Sequence, residues 1–119
     1  MTFSEGLIFV VPEYNGSYPG ALKYFIDHWD YPASFEHKPV CFIGLGGRFG
    51  GLRPVEHLQG VLGYRNAFMF PDRVFITNVW DIFKDSEITD DNIAQLLKVQ
   101  ASGFQKFVRA LASENLIPS

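Results

Sequence analysis

The chain has 119 residues, enough for one domain with a modest core and too few for two domains of ordinary size. Its net charge is -3 and its ten Lys and Arg residues are scattered, so there is no basic stripe of the kind that binds nucleic acid. Hydrophobic residues make up 47% of the chain and charged residues 19%, which fits either a well-packed sheet core or extra surface buried between subunits.

The single cysteine, Cys41, lies in an apolar run and is expected to be a buried structural thiol rather than a nucleophile. One cysteine cannot form a disulfide within the chain, which fits a reducing compartment. No apolar run approaches the length of a membrane span, and the amino terminus lacks a basic segment followed by a hydrophobic one. We therefore expect a cytoplasmic location.

The first element is a continuously apolar strand over Gly6–Val11, a pattern typical of a parallel strand that is buried on both faces. Pro12 ends this strand, and a loop of polar and aromatic residues follows. Pro19 suits the first turn of a helix, which is predicted over Gly20–Trp29 because its apolar residues recur at spacings of three and four. The loop thus lies at the carboxyl end of a strand, where open α/β sheets bind their ligands.

A second strand is predicted over Pro39–Leu45, and the loop after it has four glycines in the six positions 46–51. The next segment, Leu52–Leu62, has the apolar stripe of a helix. Glycines between a strand and a helix can present a row of N–H groups to an anion or a ring carbonyl. Taken alone the glycine loop is a weak signal, because it lacks the lysine of a phosphate-binding loop and the spacing of a dinucleotide-binding loop.

A third extended segment is predicted over Asn66–Phe70, interrupted by a Pro-Asp pair and resumed over Arg73–Ile76. The charged residues between 81 and 87 indicate a solvated loop. Thr89 is the expected N-cap of a long amphipathic helix that reaches Leu111. This alternation favours an α/β fold with parallel strands joined by right-handed crossovers.

Residues 11–27, VPEYNGSYPGALKYFID, closely resemble the PEYN-x-S-x-PG-x-LKN signature of the NADPH-dependent FMN reductase family. The stretch from Val74 to Asp90 resembles the carboxyl segment of the same family, so the resemblance covers nearly the whole chain. It implies a three-layer, flavodoxin-like half-domain of about three parallel strands with helices, a single truncated domain over residues 1–119. The reaction it implies is hydride transfer from NADPH to the flavin, and then to a quinone, free flavin or another acceptor.

The resemblance also implies which residues of the first loop meet the flavin. The backbone around Pro12, Glu13, Tyr14 and Asn15 would cradle the isoalloxazine, and Asn15 would help to order the loop. Gly16 has no Cβ and would let the chain approach the ring. The residues alone leave open a tight structural turn in which Asn15 bonds its own backbone.

In the glycine-rich loop, Gly46 and Gly47 would face the pyrimidine edge of the flavin. Arg48 matches a position that is often arginine in the family, where it would meet the reduced flavin or a nicotinamide phosphate. The alternative is a solvent-facing arginine on a flexible loop. The reaction requires no side chain as a general acid or base, so no catalytic residue is assigned. The three histidines have no metal-ligand spacing, and none is expected to bind a metal.

The family's phosphate-binding loop, of the type G-S-x-R-x-x-S, has no counterpart in this sequence, and residues 1–5 do not supply it. Three lost charge-assisted hydrogen bonds, each worth about 1.5–3 kcal/mol, would lower FMN affinity by roughly four to six powers of ten. The strand over Leu7–Val11 would also lack its usual neighbour. We expect a homodimer in which two copies of this strand pair antiparallel in one six-stranded sheet.

Three interpretations follow from these features. The chain is a reductase whose flavin binding is weakened or depends on an interface. Alternatively, it is a non-catalytic oligomeric protein that has lost its cofactor. The third interpretation is a fragment of a longer enzyme.

Overall fold

A computed structural model describes residues 5–117. The sequence analysis predicts that residues 1–5 do not supply the phosphate-binding loop, and residues 1–4 of that segment lie outside the described part. The strands are β1 (Leu7–Pro12), β2 (Pro39–Leu45), β3 (Phe68–Met69), β4 (Val74–Ile76), β5 (Phe83–Lys84) and β6 (Glu87–Ile88). The helices are α1 (Gly20–Asp27), α2 (Leu52–Tyr64), α3 (Val79–Ile82) and α4 (Asp91–Ser113).

β2 is the central strand of a parallel sheet. On one side it pairs with every residue of β1, from Leu7 opposite Val40 to Pro12 opposite Leu45. On its other side it pairs first with β3 and then with β4, both parallel. The third strand position is therefore occupied by two short strands, β3 and β4, as the Pro-Asp interruption predicts. The expected α/β class with about three parallel strand positions is confirmed.

One face of this sheet carries α1 and α2 and encloses the main core. Phe9 of β1 stacks on Phe42 of β2 with ring centroids 5.7 Å apart, and Trp29 contacts Phe9 just after α1 ends. Each large side chain buried in this way contributes about 1.5–3 kcal/mol. The buried members of this core are Phe9, Val11, Ile26, Phe35, Val40, Phe42, Val55, Leu58 and Leu62.

The other face is covered only in part. α4 packs through Phe104 on Cys41 and Phe70, but β1 remains open. Ile8 and Val10 are each 54% exposed, whereas their neighbours Phe9 and Val11 are buried. The expectation that β1 is buried on both faces is therefore wrong for this chain, because α4 reaches only the beginning of that side, where Phe104 and Val108 lie beside Gly6. β1 is also an edge strand, since β2 is its only partner among residues 5–117.

Gln100 bridges the interruption of the third strand position. The register shifts by two residues there, since Val40 lies opposite Met69 whereas Ile43 lies opposite Val74. The buried side chain of Gln100 on α4 spans this break: Nε2 donates to Phe42 O at 2.8 Å and to Asp72 O at 2.9 Å. A polar residue on the buried stripe of α4 therefore joins the helix to the centre of the sheet.

The structure corrects three local expectations. α1 ends at Asp27, two residues before the predicted Trp29. Asp90, and not Thr89, caps α4, since its carboxylate accepts from Ile93 N, while the Thr89 hydroxyl donates to Ile82 O. The charged segment 81–87, expected to be a loop, contains the end of α3 and the β5–β6 hairpin, although its side chains are mostly exposed.

We expect Gln100→Met to destabilise the fold. It keeps the side-chain length but removes the Nε2 donor to both carbonyls, and such a loss costs about 1–3 kcal/mol. Chemical denaturation would measure the change in the free energy of unfolding. Gln105→Met, at an exposed position of the same helix, is the matched control and should change that free energy little. Equal effects of the two variants would contradict the role of Gln100.

Cys41 is buried as expected, and desolvation by burial raises the pKa of its thiol from an ordinary value of 9.0 to about 11. Because the folded-state pKa is the higher one, the thiol's contribution to stability is present below about pH 9 and is lost as pH rises towards 11.

We predict that a disulfide-exchange reagent modifies Cys41 at pH 8 far more slowly in the native chain than in the chain unfolded by denaturant. Equal rates would contradict burial.

Candidate functional site

The carboxyl ends of the parallel strands meet at one edge of the sheet, and hydrogen bonds hold the following loops together there. Glu13 N donates to Leu45 O at 3.1 Å, which extends the β1–β2 pairing by one residue. Gly46 N donates to Ile76 O at 3.1 Å, which joins the end of β2 to the end of β4. The two loops that the sequence singles out, residues 13–19 and 46–51, therefore start side by side.

The first loop is a tight turn. Tyr14 N donates to Ser17 O at 2.8 Å and Ser17 N donates to Tyr14 O at 3.1 Å, so the two residues between them form a two-residue hairpin. Those residues, Asn15 and Gly16, have φ angles of 52° and 79°, which asparagine and glycine adopt at low cost. The loop is therefore a tight turn held by backbone hydrogen bonds between Tyr14 and Ser17, and this turn leaves Tyr14 61% exposed.

The glycine-rich loop folds back onto the end of β2. A Cβ atom on Gly46 would lie 2.8 Å from Gly51 N, and one on Gly51 would lie 2.7 Å from Leu45 N. Gly50 and Gly51 also have φ angles of 61° and 79°. These positions require glycine, because the backbone must turn sharply to begin α2.

The tip of this loop presents backbone N–H groups. Gly46 and Gly47 use their carbonyls to accept from Val79 N at 3.1 Å and Asn78 N at 2.7 Å. Among residues 5–117, the N–H groups of Gly47, Arg48 and Phe49 have no backbone acceptor. Flavin rings need donors of this kind at their pyrimidine edge, so the residues present fit the ring end of a flavin.

Two aromatic side chains stand beside these N–H groups. The ring of Trp80 lies within 3.1 Å of where a Cβ on Gly47 would be. Phe49 is exposed, and the guanidinium carbon of Arg48 lies 5.4 Å from the centroid of its ring. Flat apolar groups thus border the row of donors, which is the surface that a ring system needs.

A cleft of about 440 Å³ opens between the first loop and the beginning of α2. Of the sequence-predicted site residues, Glu13 lines it. Pro12 ends β1 and does not line it, and neither do the remaining predicted residues of the two loops, Tyr14, Asn15, Gly16, Gly46, Gly47 and Arg48. The lining residues are Glu13, Phe49, Leu52, Arg53, Glu56 and His57.

α2 thus contributes functional candidates that the sequence analysis did not single out as site residues. Arg53 packs against the first loop, with Nη1 3.1 Å from where a Cβ on Gly16 would be. His57 Nδ1 lies 2.7 Å from Ser17 Oγ, and Glu56 Oε2 lies 3.4 Å from Arg73 Nη1. The helical spacing of four between residues 53 and 57 was the available signal, since it places both side chains on one face.

The described residues contain no cluster of three His, Cys, Asp or Glu side chains that could hold a metal ion. No helix within residues 5–117 is long and apolar enough to span a membrane. Nor does any loop in this part of the chain match the family's phosphate-binding sequence. The described loops therefore offer backbone donors and aromatic surface of the kind that suits the ring end of a flavin.

Comparison with known proteins gives consistent matches. The family model for NADPH-dependent FMN reductase matches residues 1–81. An NAD(P)H-dependent FMN reductase of Pseudomonas aeruginosa is 32% identical over 113 residues, which is 91% of this chain and 61% of that protein. A quinone reductase of Escherichia coli is 31% identical over 115 residues, covering 89% of this chain and 60% of that protein.

Among solved structures, the flavoenzyme NAD(P)H:(acceptor) oxidoreductase of Paracoccus denitrificans superposes with a TM-score of 0.77 and 25% identity. The match covers 92% of this chain and 63% of that structure. It supports the flavodoxin-like assignment of the fold. The chain thus spans about 60% of the length of these relatives. On the match of more than half its residues to the family model, the chain belongs to the NADPH-dependent FMN reductase family.

Proposed function

We propose that this chain binds a flavin ring at the two paired loops and takes part in hydride transfer from NADPH to a flavin or quinone-type acceptor. The observation that carries the proposal is the row of unpaired N–H groups at residues 47–49, set beside the tight first loop at one sheet edge. Relatives named as FMN reductase and quinone reductase support the same chemistry.

The protein's part in this reaction is to bind and orient. The backbone of residues 12–15 would flank the ring, and the N–H groups of Gly47, Arg48 and Phe49 would meet its pyrimidine edge. When bound, FMN supplies a centre that accepts a hydride and passes it on. Arg48, which is exposed beside these donors, would attract the phosphate groups of NADPH.

We further propose that FMN binding by the chain alone is weak. FMN phosphate carries roughly two negative charges, by analogy with phosphorylated side chains. The described loops offer donors for the ring but no phosphate loop. With three charge-assisted bonds missing, a nanomolar site would become a micromolar to millimolar one, a loss of roughly four to six powers of ten.

The uncovered side of β1 supports a homodimer. Its free edge presents unpaired N–H and C=O groups, and Ile8 and Val10 add exposed apolar surface beside that edge. Exposed apolar edge strands aggregate unless they are paired. Two copies paired antiparallel through β1 would give one six-stranded sheet, in which the free β1 edge of each copy is covered by the β1 strand of the other. A lone buried thiol is consistent with the expected cytoplasmic location of this dimer.

The second candidate function is a non-catalytic interaction protein that has lost its cofactor. The exposed apolar side of β1 favours it, because a surface of that kind serves assembly whether or not a flavin is bound. Flavin binding separates the two candidates.

We expect FMN and riboflavin to bind with nearly equal affinity, in the micromolar range or weaker. Riboflavin has the ring but no phosphate, so equal affinities mean that the chain holds the ring alone. Quenching of flavin fluorescence measures both dissociation constants. Submicromolar FMN binding with much weaker riboflavin binding would contradict the phosphate argument. No binding of either molecule would favour the interaction protein.

Gly47→Leu should weaken ring binding at least about tenfold, or 1.4 kcal/mol, because its side chain would cover the donors beside Trp80. Gly60→Ala is the control, since a Cβ at that helical position meets nothing within 4 Å.

We expect Val10→Lys to convert a homodimer into a monomer, because a lysine on an edge strand opposes strand pairing. Val99→Lys is a matched control: Val99 on α4 is 55% exposed and Val10 is 54% exposed, so the two changes remove similar apolar surface. Sedimentation equilibrium measures the mass of each variant. A strict monomer of the unchanged chain at micromolar concentration would overturn the dimer proposal.

A further inference from the structure

His57 is the one histidine that lines the cleft, and the proposed flavin-binding loops do not use its imidazole. It lies in the second turn of α2 and is exposed. Its Nδ1 is 2.7 Å from the hydroxyl oxygen of Ser17 in the first loop. The ring is thus held at one nitrogen by the loop that is proposed to cradle the flavin, and Nε2 has no hydrogen-bond partner among residues 5–117.

Reduction of a quinone needs a proton as well as a hydride. Hydride addition to the quinone forms a hydroquinone anion, and one proton then completes the neutral hydroquinone. The cleft is lined by two glutamates, one arginine and one histidine as its ionisable residues. Among these side-chain types histidine is the one that ordinarily exchanges a proton near neutral pH, while arginine stays protonated.

We propose that His57 is the proton donor to a quinone-type acceptor bound in this cleft, an inference that rests on the proposed function. A bound flavin would supply the hydride, which originates from NADPH, and that hydride forms the new bond to the quinone. The Nε2–H bond of the charged imidazole breaks, and its proton goes to the quinone oxygen. The products are the neutral hydroquinone, the neutral imidazole and oxidised NADP⁺.

Ser17 is the positioning residue for this step. In the charged imidazole Nδ1–H donates to Ser17 Oγ, and it still does so after Nε2 has lost its proton. Proton release at Nε2 therefore leaves the hydrogen bond that orients the ring unchanged. Ser17 is itself fixed by its two backbone hydrogen bonds with Tyr14. The exposure of His57 lets solvent return the proton for the next turnover.

Glu13, Arg53 and Glu56 are the other charged groups around His57, from the first loop and from α2. Glu56 lies 3.4 Å from Arg73, and Arg53 packs against Gly16. The apolar part of the cleft lining consists of Phe49 and Leu52, which suit the flat ring system of a quinone. The cleft thus combines an aromatic and apolar wall with one imidazole.

The test compares two acceptors in the flavin-loaded protein. Reduction of 1,4-naphthoquinone needs a proton, whereas ferricyanide takes up electrons alone. We expect His57→Gln to lower the kcat for naphthoquinone by about 100-fold or more, the lower end of general acid catalysis, and to leave ferricyanide reduction unchanged. Ser17→Ala should lower the naphthoquinone rate by a smaller factor, because the imidazole remains but is no longer oriented.

His37→Gln is the control, because His37 stacks on Phe68 with ring centroids 5.5 Å apart, outside the cleft. It should leave both rates unchanged. An equal loss with both acceptors, or no loss with naphthoquinone, would overturn the role of His57. A failure of the unchanged protein to reduce ferricyanide with NADPH would instead count against the proposed function.

A second measurement uses the unchanged chain and needs no flavin. Titration with 1-naphthol, a flat ring with one hydroxyl and no reducible group, should shift the imidazole NMR signals of His57 and leave those of His28 and His37 in place. An absence of a His57 shift at saturation with 1-naphthol would overturn the acceptor site. This readout separates a failure of the inference from a failure of the flavin site.

Discussion

The close approach of the glycine-rich loop to the end of β2 is the constraint on which the rest of the site depends. Gly44 contacts the carbonyl oxygens of Gly50 and Gly51 so closely that no Cβ fits there. This contact lets the chain turn within six residues from the central strand into α2. α2 then buries Val55 and Leu58 on the sheet. Its outer face consequently points Arg53 and His57 towards the first loop.

The strands and the two loops could be predicted from local patterns, because apolar runs and glycine clusters act over a few residues. β2 was predicted with its observed bounds, Pro39–Leu45. Gln100 could not be predicted, because its two acceptors, Phe42 O and Asp72 O, lie 58 and 28 positions earlier in the sequence and are adjacent to it only in the folded chain. The hairpin over residues 83–88 was missed because its charged residues resemble a loop, and antiparallel pairing over two residues leaves little pattern.

The cleft was missed for a different reason. Arg53 and His57 are ordinary helix-surface residues by pattern, and only the angle at which α2 leaves the glycine loop brings them against Gly16 and Ser17. Such an angle depends on the packing of several elements, so no local signal contains it. The sequence resemblance identified the loops, whereas the three-dimensional arrangement identified the cleft between them.

β1 links the proposed dimer contact to the candidate site, because the strand with the uncovered apolar side also leads into the first loop at its carboxyl end. A partner strand along β1 would restrain Pro12 and therefore the turn that holds Ser17. Recognition of the flavin ring relies on backbone N–H groups, which many sequences can supply. The Ser17 to His57 contact relies on two particular side chains held 2.7 Å apart by separate elements. A side-chain contact between two elements is more sensitive to small displacements than a row of donors within one loop. Stiffening β1 should therefore change the orientation of the His57 ring more than it changes the affinity for the flavin ring.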